Sequence, residues 1–145
     1  MFEIPDGDVL LHAGDLTTWG HKDDMEKVVD WLCEQKHKVK IVIAGNHDLP
    51  LHQDWYAYDW KRFHRTKKQD SKAVRKLLTG RKARKAGLIY LENQQTSFRI
   101  EQGRREWTVY GSPWTPGAYF TAFQYQRDSL EAKEIVSKYT NADIL

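Results

Sequence analysis

Two short apolar runs, each stopped by a glycine and then by a cluster of polar side chains, restrict this chain more than any other feature. The first is Asp8-Val9-Leu10-Leu11-His12-Ala13, followed by Gly14-Asp15. The second covers 39–44 and ends at Gly45-Asn46-His47-Asp48. Apolar, β-branched runs of this length bounded by glycine predict buried strands. Between them, over about residues 22–36, Met25, Val28, Val29, Leu32 and Cys33 recur at three- and four-residue steps. Asp23, Asp24 and Glu26 open that segment, where a helix dipole favours acids. The unit reads as strand, amphipathic helix, strand, with the two strands parallel. A right-handed crossover then sets the carboxyl ends of both strands at one edge of the sheet, the edge where open α/β sheets hold their ligands. Loops 14–20 and 45–48 are therefore predicted to be neighbours.

Beyond this unit the pattern loosens. Aromatics crowd 53–63 (Trp55, Tyr56, Tyr58, Trp60, Phe63), and 71–78 has the spacing of a short helix. Segments 88–91, 96–100 and 106–110 read as strands of a second, mostly antiparallel sheet with a turn at Gln102-Gly103. A helical spacing returns over 127–138, and 141–145 reads as the opening of another strand. At 145 residues the chain fits a single domain, 1–145, with its own core. No apolar run approaches the roughly 20 residues that cross a bilayer. The acidic start Met1-Phe2-Glu3-Ile4-Pro5-Asp6 lacks the layout of a secretory signal. A cytoplasmic location and no membrane partner are expected. The lone Cys33 is expected to act as a small buried hydrophobe with no chemical role.

Charge is unevenly distributed. Residues 61–86 hold twelve of the 23 bases against one acid, Asp70, for a local net charge of +11, which leaves −8 on the remainder. Interleaved with Trp60 and Phe63, such a stretch has the ingredients of a nucleic-acid contact. A solvated basic insertion is the favoured reading.

The two polar clusters carry the chemistry. A carboxylate behind a glycine, as in Gly14-Asp15, can approach a cation closely. Asn46 offers a neutral carbonyl oxygen, and His47 an imidazole able to ligate, donate a proton or hold a phosphoryl oxygen. Together they suit hard or borderline divalent metals.

These residues resemble a known family. Gly14-Asp15 followed about thirty residues later by Gly45-Asn46-His47-Asp48 is similar to the second and third motifs of the calcineurin-like metallophosphoesterases. The segments 8–15, 40–48 and Tyr110-Gly111-Ser112-Pro113-Trp114 resemble the small eukaryotic branch of metal-dependent phosphodiesterases within it. The resemblance implies an α/β fold, a metallophosphoesterase-like β-sandwich flanked by helices, with one partly parallel and one mostly antiparallel sheet. It implies two divalent ions (manganese, iron, zinc or magnesium) and a phosphoester substrate, with a nucleotide among the options. It assigns Asp15 to bridge the metals, Asn46 to ligate the second, His47 to contact phosphate and assist the leaving group, and Asp48 to orient His47. The family's opening Asp-x-His strand and its later Gly-His-x-His motif have no counterpart here, so an incomplete domain is expected: a fragment, a shortened product or a degenerate member. The competing readings are a nucleic-acid-binding module, or a protein-interaction module around the Trp114 loop on a catalytically silent scaffold. Among the remaining histidines, His12 is expected in the core or behind the metal site, His52 in a solvated loop, and His21 and His37 on the surface.

Overall fold

The computed structural model describes residues 4–117 and 120–145. Strand β1 (Val9–His12), helix α1 (Lys22–Glu34) and strand β2 (Val39–Ile43) form where the apolar runs and the helical spacing place them, and β1 and β2 pair in parallel from Val9 opposite Val39 to His12 opposite Val42. Side chains of β2 alternate between two cores, as a pleat with period two requires. Ile41 faces a cluster with Leu91, Phe98 and Val109, while Val42 faces the helices with Met25, Val29 and Leu32. Lys40 lies on the helix side and is only 2% exposed. Its ammonium donates to the carbonyls of His37 (2.8 Å) and Ala86 (2.6 Å), so it ties together the loops that enter β2 and the next strand. Burial pushes the Lys40 pKa down from the ordinary lysine value.

The second half departs from expectation in two places. Strand β3 (Leu88–Leu91) joins the first sheet, parallel to β2, giving the order β1-β2-β3. The antiparallel sheet holds β4 (Gln94–Phe98) and β5 (Trp107–Gly111), with Ile144 bridging to Val109 where the final segment was expected to open a strand. The reason is the crossover: helices α3 (Ser71–Thr79) and α4 (Arg81–Lys85) carry the chain back over the sheet, so β3 enters in the same direction as β2. The basic stretch is therefore no solvated loop. Val74, Leu78 and Ala83 are fully buried against α1 and the sheet, and the Asp70 carboxylate caps α3 through the amides of Lys72 and Ala73.

The aromatic segment is likewise ordered, as helix α2 (Gln53–Phe63), with Tyr56 fully buried. Aromatic side chains have modest helix propensity, and tertiary burial overrides it. Two two-residue strands, β6 (Thr115–Pro116) and β7 (Gln124–Tyr125), pair beside the site, and α5 (Leu130–Ser137) follows, capped by Ser129. Parallel and antiparallel sheets packed face to face, with helices on the outer side of the first, make the mixed α/β sandwich that was expected. No helix among the described residues is long and apolar enough to cross a membrane.

Several histidines sit deeper than their loops suggested. His37 is 7% exposed, and His52 stacks on Phe123 (ring centroids 4.6 Å apart) while accepting from the Phe123 amide. His64 is buried beneath His21 and bonds the Tyr56 hydroxyl. Burial pulls His12, His52 and His64 below the ordinary imidazole value; nearby carboxylates oppose this for His12 and His52, and His21 adds to it for His64. The unfolded chain takes up protons at these sites from about pH 6.5 downward, whereas the folded chain does so only at lower pH, so stability falls as pH drops through that window. Urea midpoints at pH 7.5 and pH 5 are expected to show the decline. Equal midpoints would mean that the three rings take up protons in the fold as readily as in the unfolded chain.

Candidate metal and phosphoester site

The two strand-end loops meet, and glycine is what lets them. Gly14 has φ +95°, and a Cβ on it would lie 2.5 Å from the Gly45 amide nitrogen. A Cβ on Gly45 would lie 2.2 Å from both the backbone nitrogen and Oδ1 of Asp15. Neither loop can carry a side chain at its turn without driving the other away. Asp15 itself is left-handed at φ +53°, a conformation that aspartate tolerates better than most residues and one that recurs at functional sites.

Asp48 fastens this junction. The residue is fully buried, and its carboxylate accepts four hydrogen bonds: Thr17 N (2.9 Å) and Thr17 Oγ1 (2.9 Å) at Oδ1, and Leu16 N (3.1 Å) and Gly45 N (2.9 Å) at Oδ2. Thr17 Oγ1 in turn accepts from Gly20 N at 2.8 Å, extending the network along the first loop. Burial pushes the Asp48 pKa above the ordinary carboxylate value, and the four donors pull against that rise.

None of those bonds goes to His47, which corrects the role implied for Asp48. The ring is oriented instead by the Thr18 carbonyl, 2.8 Å from Nδ1, with Trp19 packed alongside (centroids 5.2 Å). A carbonyl only accepts, so Nδ1 carries the proton and Nε2 is left for a ligand. The His47 amide donates to Asp15 Oδ1 at 3.1 Å, placing the Asp15 carboxylate against both chain neighbours of Asn46. Asn46 Nδ2 donates to Thr121 Oγ1 at 3.0 Å. That bond takes one N–H of the amide toward Thr121, and the Oδ1 carbonyl is the atom of this side chain that could meet a cation. Asp15, Asn46 and His47 thus share one rim, while Asp48 lies beneath it as the fastener.

Thr18, Thr121 and Trp19 have no local sequence signal for these contacts; Thr121 lies 75 residues from Asn46. Trp114, in the loop considered as an interaction surface, is half-buried, edge-on to His52 and Phe123. Cys33 is partly buried among the helix-side core, and burial raises its thiol pKa.

A parallel sheet whose carboxyl-edge loops present an acid, an amide and an imidazole, backed by a second sheet, defines a phosphoesterase-like α/β sandwich. The calcineurin-like phosphoesterase family model matches residues 2–136, and the chain belongs to that family. Metallophosphoesterase domain-containing protein 1 from Homo sapiens is 35% identical over 132 residues, covering 86% of this chain and 36% of the relative. The probable rhamnogalacturonate lyase C of Emericella nidulans is 36% identical over 146 residues, 95% of this chain and 12% of that much longer protein. A UPF0046 protein of Caenorhabditis elegans is 45% identical over 51 residues, 35% of this chain and 18% of its own length. The chain thus spans little more than a third of the human relative. Membership supports a metal-dependent phosphoesterase at the level of the family.

Do the residues present fit the family's metals? Asp15 and Asn46 supply hard oxygen donors at one rim, with His47 beside them, which suits one hydrated divalent cation. Among the described residues no group of three or more histidine, cysteine, aspartate or glutamate side chains stands ready for a metal. The donor set fits one ion and falls short of what two require.

Proposed function

We propose that this rim hydrolyses phosphodiesters with the help of a divalent cation held by Asp15 and Asn46. The observation that supports it is the convergence of Asp15, Asn46 and His47 on one edge, each held by a bond from the other loop or from Thr121. In the reaction a water oxygen forms a bond to phosphorus, the bond from phosphorus to the leaving oxygen breaks, and the products are a monoester and an alcohol. When bound, the cation supplies Lewis-acid stabilisation of phosphoryl charge and a lower pKa for water. His47, fixed through Nδ1 by Thr18, presents Nε2 to the phosphoryl or leaving oxygen and, when protonated, delivers the proton that the departing alkoxide needs. Asn46 cannot swing freely, because Thr121 holds its amide.

The test is manganese-dependent turnover of an aryl phosphodiester by this chain and by a longer chain extended at both ends, each with and without Asp15→Ala. Turnover is expected to be close to background in the short chain and clear in the long one, with Asp15→Ala bringing it to the enzyme-free rate. Manganese binding read by its own spectroscopic signal is expected to weaken in Asp15→Ala and Asn46→Ala alike. Equal hydrolysis in the Asp15→Ala protein refutes the assignment. The small donor set favours a second reading, a silent scaffold, and an inert long chain that still folds would support it.

A further inference from the structure

Helix α2 and the segment behind it form a strip that leads away from the rim. His47 packs on Trp19, Trp19 on Phe63 (5.2 Å), and the Arg62 guanidinium lies over Phe63 (5.3 Å) and donates to the Phe120 carbonyl (3.5 Å). Tyr58, Lys61 and Arg62 stand three and four residues apart on α2 and so share one face of it. Lys68 reaches back to the Ala57 carbonyl at 3.4 Å, which holds the segment carrying Arg65, Lys67 and Lys68 against the same helix. Tyr58 is 86% exposed and Phe120 76% exposed, so both rings are open to an outside partner.

The cations here are free to meet an outside anion. Of the twelve bases in 61–86, only Arg75 (to Glu92) and Lys82 (to Asp30) pair with a carboxylate among the described residues. Of the five acids of α1, Asp24 and Glu26 pair within the helix and Asp30 pairs with Lys82, while α2 itself carries Asp54 and Asp59 beside its bases. A row of unpaired cations interleaved with exposed ring faces matches a single-stranded nucleic acid: phosphates meet the cations and unstacked bases lie on the rings, without sequence readout. A duplex hides its bases from such rings.

We infer that the strip of Trp19, Phe120, Tyr58, Arg62, Arg65 and Lys67 binds single-stranded nucleic acid and leads one of its phosphodiesters toward the Asp15–Asn46–His47 rim. The binding stands on the strip alone; that the bound strand is also substrate rests on the phosphoesterase reading above.

The experiment is fluorescence anisotropy of a labelled single strand of about 20 nucleotides, a length that spans one such site with room to spare. Affinity is expected to fall roughly fiftyfold between 50 and 200 mM salt if about four phosphates are neutralised. Arg65→Glu/Lys67→Glu, both exposed and outside the core, should weaken binding at least tenfold and flatten the salt slope by about one unit or more. Phe120→Ala should weaken it about fivefold or more and leave the slope unchanged, because stacking involves no counterion release. Asp15→Ala should bind the strand as before even where it has lost turnover, which separates failure of this surface from failure of the active-site reading. No binding at 50 mM salt, a slope unmoved by charge reversal, or capture by phosphatidylserine vesicles while the oligonucleotide stays free would each overturn the inference. Tighter binding to duplex than to single strand, with Phe120→Ala silent, would overturn the stacking role and with it the choice of partner.

Discussion

Asp48→Ala is expected to lower stability by about 4 kcal/mol, a large share of the 5–15 kcal/mol that holds a domain of ordinary stability together. The change leaves four buried donors, the amides of Leu16, Thr17 and Gly45 and the Thr17 hydroxyl, without an acceptor. Each stranded donor costs on the order of 1–3 kcal/mol, less where water enters the vacated space, so the total falls well short of the arithmetic maximum. Thermal unfolding should drop by about 10 °C in a chain of this size. Asp48→Asn separates shape from charge: it keeps one acceptor oxygen but points an NH2 at two of the donors, and an intermediate loss is expected. The ring of His47 should be little affected in whatever fraction remains folded, since Thr18 orients it. Loss of less than 1 kcal/mol in Asp48→Ala would show that the junction is held by packing instead.

Gly45→Ala should separate the loops without removing any polar group. Its new methyl would lie 2.2 Å from the Asp15 backbone nitrogen and 2.2 Å from its carboxylate oxygen, and backbone cannot turn aside as a flexible side chain can. Relief requires the strand ends to move apart, which stretches the Gly45 amide bond to Asp48 and the His47 amide bond to Asp15. Overpacking of this kind costs about 1–3 kcal/mol. The larger effect falls on chemistry, because a displacement near 1 Å of positioned groups costs roughly a hundredfold in rate. Denaturant titration and manganese-dependent hydrolysis, in the longer chain wherever this one is silent, read the two effects separately. Hydrolysis at the parent rate in a Gly45→Ala protein would mean that Asp15 and Asn46 need not share a cation.

These two variants mark the boundary between what could be read along the chain and what could not. The strand-helix-strand unit was legible because two glycine-bounded apolar runs and the 3.6-residue spacing between them are written in consecutive residues, and the right-handed crossover then places Asp15 beside the Asn46-His47-Asp48 loop. The order of the remaining strands was not. The segment 88–91 carries the same pattern whether its neighbours are parallel or antiparallel, and α3 and α4 settle the direction through the burial of Val74, Leu78 and Ala83. The same three side chains make the basic stretch part of the core, although its charge suggested a solvated insertion.

At the rim, residue types suggested Asp15 and Asn46 as candidate metal ligands and His47 as a candidate catalytic group, because carboxylate, amide and imidazole chemistry belongs to the side chain wherever it lies. Which atom each one offers was a matter of tertiary structure. The Thr18 carbonyl fixes the His47 tautomer, Thr121 turns Asn46, and the buried Asp48 spends its oxygens on the first loop and the Gly45 amide and none on the imidazole. Hydrogen bonds depend on direction over about 3 Å, and partners separated by up to 75 residues leave no trace in local pattern. Apolar runs and helical spacing thus determined the strand-helix-strand unit and which loops meet, and only the folded chain decided how the candidate side chains at that junction are oriented.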